Sequence, residues 1–227
     1  VVGADGIKYL DMAIRMAEKI GQPLVVHASN PPCRASEIAE RLRPGDVFCH
    51  CFHGKGRTIL DEQDHVQKEI WDARERGVIF DACNGISNFS ICVARKALAD
   101  GFLPDVIASD EAPNVFNKNA FAKSLPYLMS KYLALGMSIS DVVKAVTITP
   151  AKLLREDGRI GALSAGHDAD ISVLRMEEKH TVFRDNLRDE LACDRLLVPQ
   201  MTVCGGQIVY SQVGFPEEKM NDRRYAI

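Results

Sequence analysis

Apolar residues recur at Leu10, Ala13, Ile14, Ala17 and Ile20, a helical period that predicts a helix over Tyr9–Ile20, stopped by Gly21. The pattern then changes to compact apolar runs. Pro23–Ala28, Asp46–Cys51, Val78–Ala82 and Asp105–Asp110 each read as a buried parallel strand. Helices are predicted between them at Ser36–Leu42, Glu62–Arg76 and Phe89–Ala99. Four successive βα units predict an α/β fold with a parallel sheet. Beyond Asp110 the texture shifts to helices at Ala120–Leu135, Ser140–Val146 and Pro150–Leu154. From Gly158 glycine-punctuated alternation leads into a strand at Ala169–Leu174. Met201–Cys204, Gly205-Gly206 and Gln207–Tyr210 predict a hairpin. The chain thus divides into an α/β part, 1–157, and a β-rich module with its tail, 158–227.

Composition narrows the class. With 227 residues the chain can bury a large core as one domain or as one domain with an appendage. A net charge of −3 argues against a nucleic-acid or membrane-surface partner. No apolar run approaches the ~20 residues of a membrane helix, and no signal-peptide pattern opens the chain. Seven cysteines, an odd number scattered through apolar segments, predict reduced thiols in a cytoplasmic protein. The first residue is Val1 rather than Met, and the opening reads as mid-loop.

In parallel α/β folds, chemistry gathers where strands end and βα loops begin. Those ends carry His27, His50, Asp81 with nearby Asn84, and Asp110. Imidazoles and carboxylates on one rim are what a hydrolytic metal centre requires, since neutral imidazole suits zinc and a carboxylate both ligates and accepts a proton. One strand-end histidine alone is more often a hydrogen-bonded core residue than a ligand. Two on consecutive strands, with Asp110 two strands later, favour ligands. His53 lies in the following loop, as apt for substrate as for metal, and Lys55 and Arg57 there suit an anionic substrate group. His65 is expected on a solvated helix, and His167 and His180 on the surface. A zinc knot of Cys49, His50 and Cys51 is not expected, because a strand would turn His50 away from both cysteines. Cys51 or Cys83 as a thiol nucleophile is the remaining rival.

In order along the chain, Val25-Val26-His27, Cys49-His50-Cys51-Phe52-His53-Gly54-Lys55, Val78-Ile79-Phe80-Asp81 and Ile107-Ala108-Ser109-Asp110 resemble the amidohydrolase superfamily, in particular its dihydroorotase-related deacetylase branch. Thr147-Ile148-Thr149-Pro150-Ala151, Gly158-Arg159-Ile160-Gly161, Gly166-His167-Asp168-Ala169-Asp170-Ile171 and Val203–Tyr210 extend the likeness to about Ser211. The resemblance implies a (β/α)8 barrel beside a small β-sandwich, with one or two divalent metals, most often zinc. It makes His27 and His50 the ligands of the fifth and sixth strands. Asp110 becomes the ligand and general base of the eighth, and His53, Lys55 and Asn84 the substrate-facing candidates. The substrate class implied is a small-molecule amide or ester.

The family's first-strand His-x-His pair and fourth-strand bridging lysine have no counterpart here, and Lys8 stands too close to His27 to be that lysine. A full barrel takes roughly 250 residues. The expectation is therefore strands five to eight plus the sandwich module, with the missing ligands supplied by an N-terminal half. Open sheet edges then predict a homo-oligomer or a complementing chain. The alternative to a metal-dependent hydrolase is a catalytically incomplete piece that acts only by association.

Overall fold

The computed structural model describes residues 5–112 and 121–215. Its first helix, α1 (Gly6–Ile20), begins three residues before the apolar period and ends at Gly21, whose φ of +63° is the left-handed conformation that closes helices. Three short strands follow, β1 (Val25–His27), β2 (Val47–Cys49) and β3 (Ile79–Asp81), with α2 (Ala35–Arg41) and α3 (Lys68–Glu75) between them. They pair in parallel in the order β1-β2-β3. The register sets His27 beside Cys49, and Cys49 beside Asp81. The sheet's core is aromatic. Phe48 meets Phe80 at 5.5 Å between ring centroids, Phe80 meets Phe102 at 5.0 Å, and Trp71 meets Phe102 at 5.1 Å.

The helix predicted over Ala120–Leu135 begins only at Leu125, and the strand predicted over Ala169–Leu174 runs on to Arg184, paired with a strand that starts at Glu190 rather than Met201. Two further elements are shortened for identifiable reasons. The helix over Glu62–Arg76 starts only at Lys68, because Asp61 Oδ1 accepts from the backbone N–H groups of Gln63 (2.8 Å) and His65 (2.9 Å) and folds that stretch into a turn. The strand over Asp105–Asp110 is reduced to one bridge, Asp81 to Val106. Its inner edge still bonds to the sheet, Ala82 N to Val106 O at 2.9 Å and Asn84 N to Ala108 O at 2.9 Å. Its outer edge gives Ile107 N to Ala145 O of a helix, so no ladder continues.

Helices α4 (Ile91–Ala99), α5 (Leu125–Ala134), α6 (Ile139–Val146) and α7 (Ile148–Leu153) complete the α/β part. A second sheet holds β4 (Ile171–Arg184), β5 (Glu190–Cys204) and β6 (Gln207–Ser211), all antiparallel. The Gly205-Gly206 turn joining β5 to β6 has φ of +54° and +79°, both open to glycine. Pro199 interrupts β5 where its register with β4 slips between Val173 and Leu174, a place a strand tolerates proline. The second sheet docks on α5 and α4. Leu197 N donates to Ser130 Oγ at 2.8 Å, Tyr127 stacks edge-on against Phe183 at 4.8 Å, and Asp185 Oδ2 accepts from Ile91 N at 2.7 Å. The structure is thus a mixed α/β fold, and no described helix is long and apolar enough to cross a membrane.

Candidate metal centre

Because β1, β2 and β3 are in register, their last residues His27, Cys49 and Asp81 form a row at the carboxyl end of the sheet. The next residue, His50, takes φ +64°, which stops β2 and turns its ring onto that of His27, with centroids 4.3 Å apart at 64°. Its Nδ1 lies 2.9 Å from the carbonyl of Cys83. Asp110 also adopts a left-handed φ, +54°. Residues other than glycine rarely do so without compensation, and such strain gathers at functional sites. Asp110 Oδ2 stands where a side chain on Gly85 would be, so the loop after β3 leaves room for this carboxylate.

Electrostatics mark the same place. Burial, helped by the neighbouring His50, lowers the pKa of His27, while Asp110 pulls it the other way. Burial also pulls His50 down, but the Cys49 sulfur outweighs it and leaves His50 raised. Burial and the nearby Cys49 push Asp81 up to about 7. The hydrogen bond from Cys83 brings Cys49 down to about 5, against its burial, and the Cys83 thiol is pushed up in return.

The other candidates lie as follows. His53 is fully buried, neither ring nitrogen has a well-formed hydrogen bond among the described residues, and burial lowers its pKa to about 4. Lys55 and Arg57 are exposed on the same loop. Asn84 faces inward. Its Oδ1 accepts from Lys131 Nζ at 2.6 Å and from the Tyr132 hydroxyl at 3.3 Å, and its Nδ2 donates to the carbonyls of Ala82 and Ala108. His65 sits in the Asp61 turn rather than on a helix and pairs with Asp100 at 2.8 Å. His180 is exposed beside Asp194, whereas His167 has its Nδ1 buried. Lys8 is exposed on α1.

The sequence argument that separated Cys49 from His50 assumed a strand running on to Cys51. The strand ends at Cys49, and Cys49, His50 and Cys83 converge, their donor atoms within 4.8 Å of one another. Cys51 is fully buried and burial pushes its thiol up, while at Cys83 the hydrogen bond with Cys49, then burial, does the same, so neither suits a thiolate nucleophile. Lys131 escaped sequence reading altogether. It lies on the apolar α5 with its ammonium 3.7 Å from the centre of the Phe89 ring, and burial lowers its pKa to about 7 while Asp185 resists. Its one signal was a lysine inside a helix of leucines and tyrosines.

The donor set fits a divalent cation. Two imidazoles touch, a carboxylate borders the Gly85 loop, and Asp81 Oδ1 is buried without a hydrogen-bond partner among the described residues. A cation there would offset buried negative charge and favour neutral rings.

A family model described as the amidohydrolase family matches residues 5–209. A deacetylase from Agrobacterium fabrum is 30% identical over 224 residues, covering 96% of this chain and 53% of its own. A deacetylase from Enterococcus faecalis is also 30% identical, over 92% of this chain and 56% of its own. The crystal structure of an adenine deaminase has a TM-score of 0.85 at 30% identity, over 93% of this chain and 57% of that one. That of a dihydroorotase has a TM-score of 0.74 at 31% identity, over 87% and 51%. The chain therefore spans about half the length of the relatives it matches.

Proposed function

The chain belongs to the amidohydrolase family, in its dihydroorotase-related branch, and on that footing we propose that it forms part of a metal-dependent hydrolase cleaving an amide or ester bond in a small molecule. The observation that carries this reading is the edge-on contact of the His27 and His50 rings at the carboxyl end of the parallel sheet, within electrostatic reach of Asp110, with His50 and Asp110 held at positive φ. His27, His50 and Asp110 would hold the metal, zinc in the first instance, as one or two ions. When bound, such an ion lowers the pKa of water and polarises a carbonyl.

The chain's own residues supply the rest. Asp110, exposed and free of a Cβ neighbour at Gly85, takes the proton of the attacking water and passes it to the leaving nitrogen or oxygen. His53, walled off from solvent, keeps a neutral ring beside the cluster and orients substrate. Lys55 and Arg57 offer positive charge to an anionic substrate group. Asn84 shapes the loop rather than meeting the substrate, since its amide is spent on internal bonds.

The parallel sheet corresponds, in this reading, to strands five to eight of a (β/α)8 barrel, and residues 158–227 to the accompanying β-sandwich. The remaining ligands come from an N-terminal half or a complementing chain. The deacetylase names of the relatives favour an acyl-amide substrate. Seven free cysteines favour a reducing compartment, the cytoplasm.

Metal analysis of the protein containing this chain tests the proposal. We expect roughly one or two equivalents of zinc or manganese per chain, hydrolysis that chelators abolish, and loss of both metal and activity in His50→Ala. Hydrolysis that survives chelation and the His50→Ala change would refute it. A second reading, association without catalysis, draws on the exposed apolar residues of α1, Tyr9, Met12, Met16 and Ile20, and metal-free protein that still pairs would support it.

A further inference from the structure

The hydrolytic reading makes no use of Cys49 or Cys83, yet the fold brings both to His50. Cys49 closes β2, and Cys83 lies two residues past the end of β3. Both are free thiols, 9% and 8% exposed, and their sulfurs and one ring nitrogen of His50 lie within 4.8 Å of one another. We propose that Cys49, Cys83 and His50 form a sulfur-rich site for a thiophilic divalent cation such as zinc or cadmium, with a ligand set that shares only His50 with that of His27, His50 and Asp110.

Zinc–sulfur and zinc–nitrogen bonds in a tetrahedral site place neighbouring donors about 3.5–3.8 Å apart. The three donors here need to draw in by about 1 Å, a side-chain adjustment rather than a refolding. Packing alone accounts for buried cysteines one at a time. It does not account for the company these two keep. His50 holds its place against an unfavourable φ of +64°. Asp81 sets Oδ2 3.8 Å from the Cys49 sulfur, and its Oδ1 is buried without a hydrogen-bond partner among the described residues. Two sulfurs, an imidazole and a nearby carboxylate make a pocket rich in electron donors, and thiolate ligands select soft cations over magnesium or manganese. Binding releases to solvent whatever proton each sulfur still carries as its bond to the metal forms. The site stands without the hydrolytic reading. Only one consequence rests on that reading: a soft ion seated here withdraws His50 from the hydrolytic set.

The test uses the whole reduced chain, titrated with cadmium while the ultraviolet thiolate-to-metal charge-transfer absorption is followed. Cysteine alkylation is mapped by peptide mass in parallel. We expect saturation near one cadmium per chain, alkylation of Cys49 and Cys83 slowed about tenfold or more, and Cys33 and Cys92 unaffected. Zinc should compete and magnesium should not. Cys49→Ser and Cys83→Ser should each abolish the absorption, while His27→Ala should keep it. The proposal is overturned if the absorption is absent, if it survives Cys83→Ser, if magnesium protects equally, or if other cysteines are the ones protected. Should the serine variants fail to fold, the alkylation map of the unaltered chain decides alone. Loss of absorption in His27→Ala but not in the cysteine variants would assign the cation to the hydrolytic set instead.

Discussion

At Gly85 the missing side chain is what lets Asp110 stand where it does, because a methyl group there would overlap Asp110 Oδ2. The overlap is with the end of a flexible side chain, so Gly85→Ala should leave the thermal midpoint within a few degrees while displacing the carboxylate. If Asp110 is the general base proposed above, hydrolysis by the protein containing this chain should fall by about 10²–10⁴-fold in Gly85→Ala, as in Asp110→Asn. A rate near wild type in Gly85→Ala, with Asp110→Asn inactive, would mean the carboxylate tolerates the shift. Lys131 gives a prediction in pH. Unfolded, it keeps its proton to about 10.5, whereas the buried side chain gives it up near 7. Between those values the unfolded state binds more protons, so the Lys131 contribution to stability rises with pH across the window and its burial costs most below it. Lys131→Met should flatten the rise of the urea midpoint between pH 7 and 10, an effect of at most about 5 kcal/mol over the whole window. An unchanged slope would show that this lysine is not the source. His27, His50 and Asp110 were legible as residues at the ends of apolar runs. What the sequence did not carry was the positive φ at His50, since histidine enters that region too seldom to be foreseen. That single dihedral brings Cys49, His50 and Cys83 together.

Among the elements, the order of helices and strands was readable because each apolar run is bracketed by glycine, proline or charged residues. Two failures were hydrogen-bond competitions, one by a local side chain and one by a distant backbone carbonyl. Asp61 captured two N–H groups that a helix over Glu62–Arg76 would have needed, and Ile107 gave its N–H to the carbonyl of Ala145 instead of to another strand. Nothing in periodicity reports a carboxylate that bonds two and four residues onward. Asp185 is a similar device put to use between elements. One oxygen accepts from Ile91 N at the start of α4, and the other from Leu187 N (2.8 Å) and Asp189 N (3.0 Å) in the turn joining β4 to β5. Removing it strands three donors, one of them, Ile91 N, in a buried environment. We expect Asp185→Ala to cost about 2–4 kcal/mol in denaturant titration, with faster amide exchange at Ile91. Exchange at Ile91 unchanged would show that the second sheet is held to α4 by packing alone.

Taken whole, the described residues leave apolar surface uncovered. Tyr9, Met12, Met16 and Ile20 of α1 are 47–62% exposed, and Val25 on the edge strand β1 is 62% exposed. An open edge and an apolar helix face invite a partner. Sedimentation of this chain alone should therefore show more than one copy per particle, and co-expression with the remaining half of a relative-length protein should replace self-association. A stable monomer at micromolar concentration would count against both. The two sheets also differ in how far the chain must travel to make them. In the long β4–β5 hairpin, neighbours meet across a turn at residues 185–189, whereas Val25 finds Val47, and Val47 finds Ile79, only after a helix has been laid down between them. Closing the shorter loop forfeits less chain freedom, so we expect the hairpin to form early and the three-residue strands to come into register late. His27, Cys49 and Asp81 are the last residues of those late strands, which makes their alignment a checkpoint on the whole fold. A cation bound there, as proposed, would meet only chains that have finished folding, and by binding them would hold the final step shut.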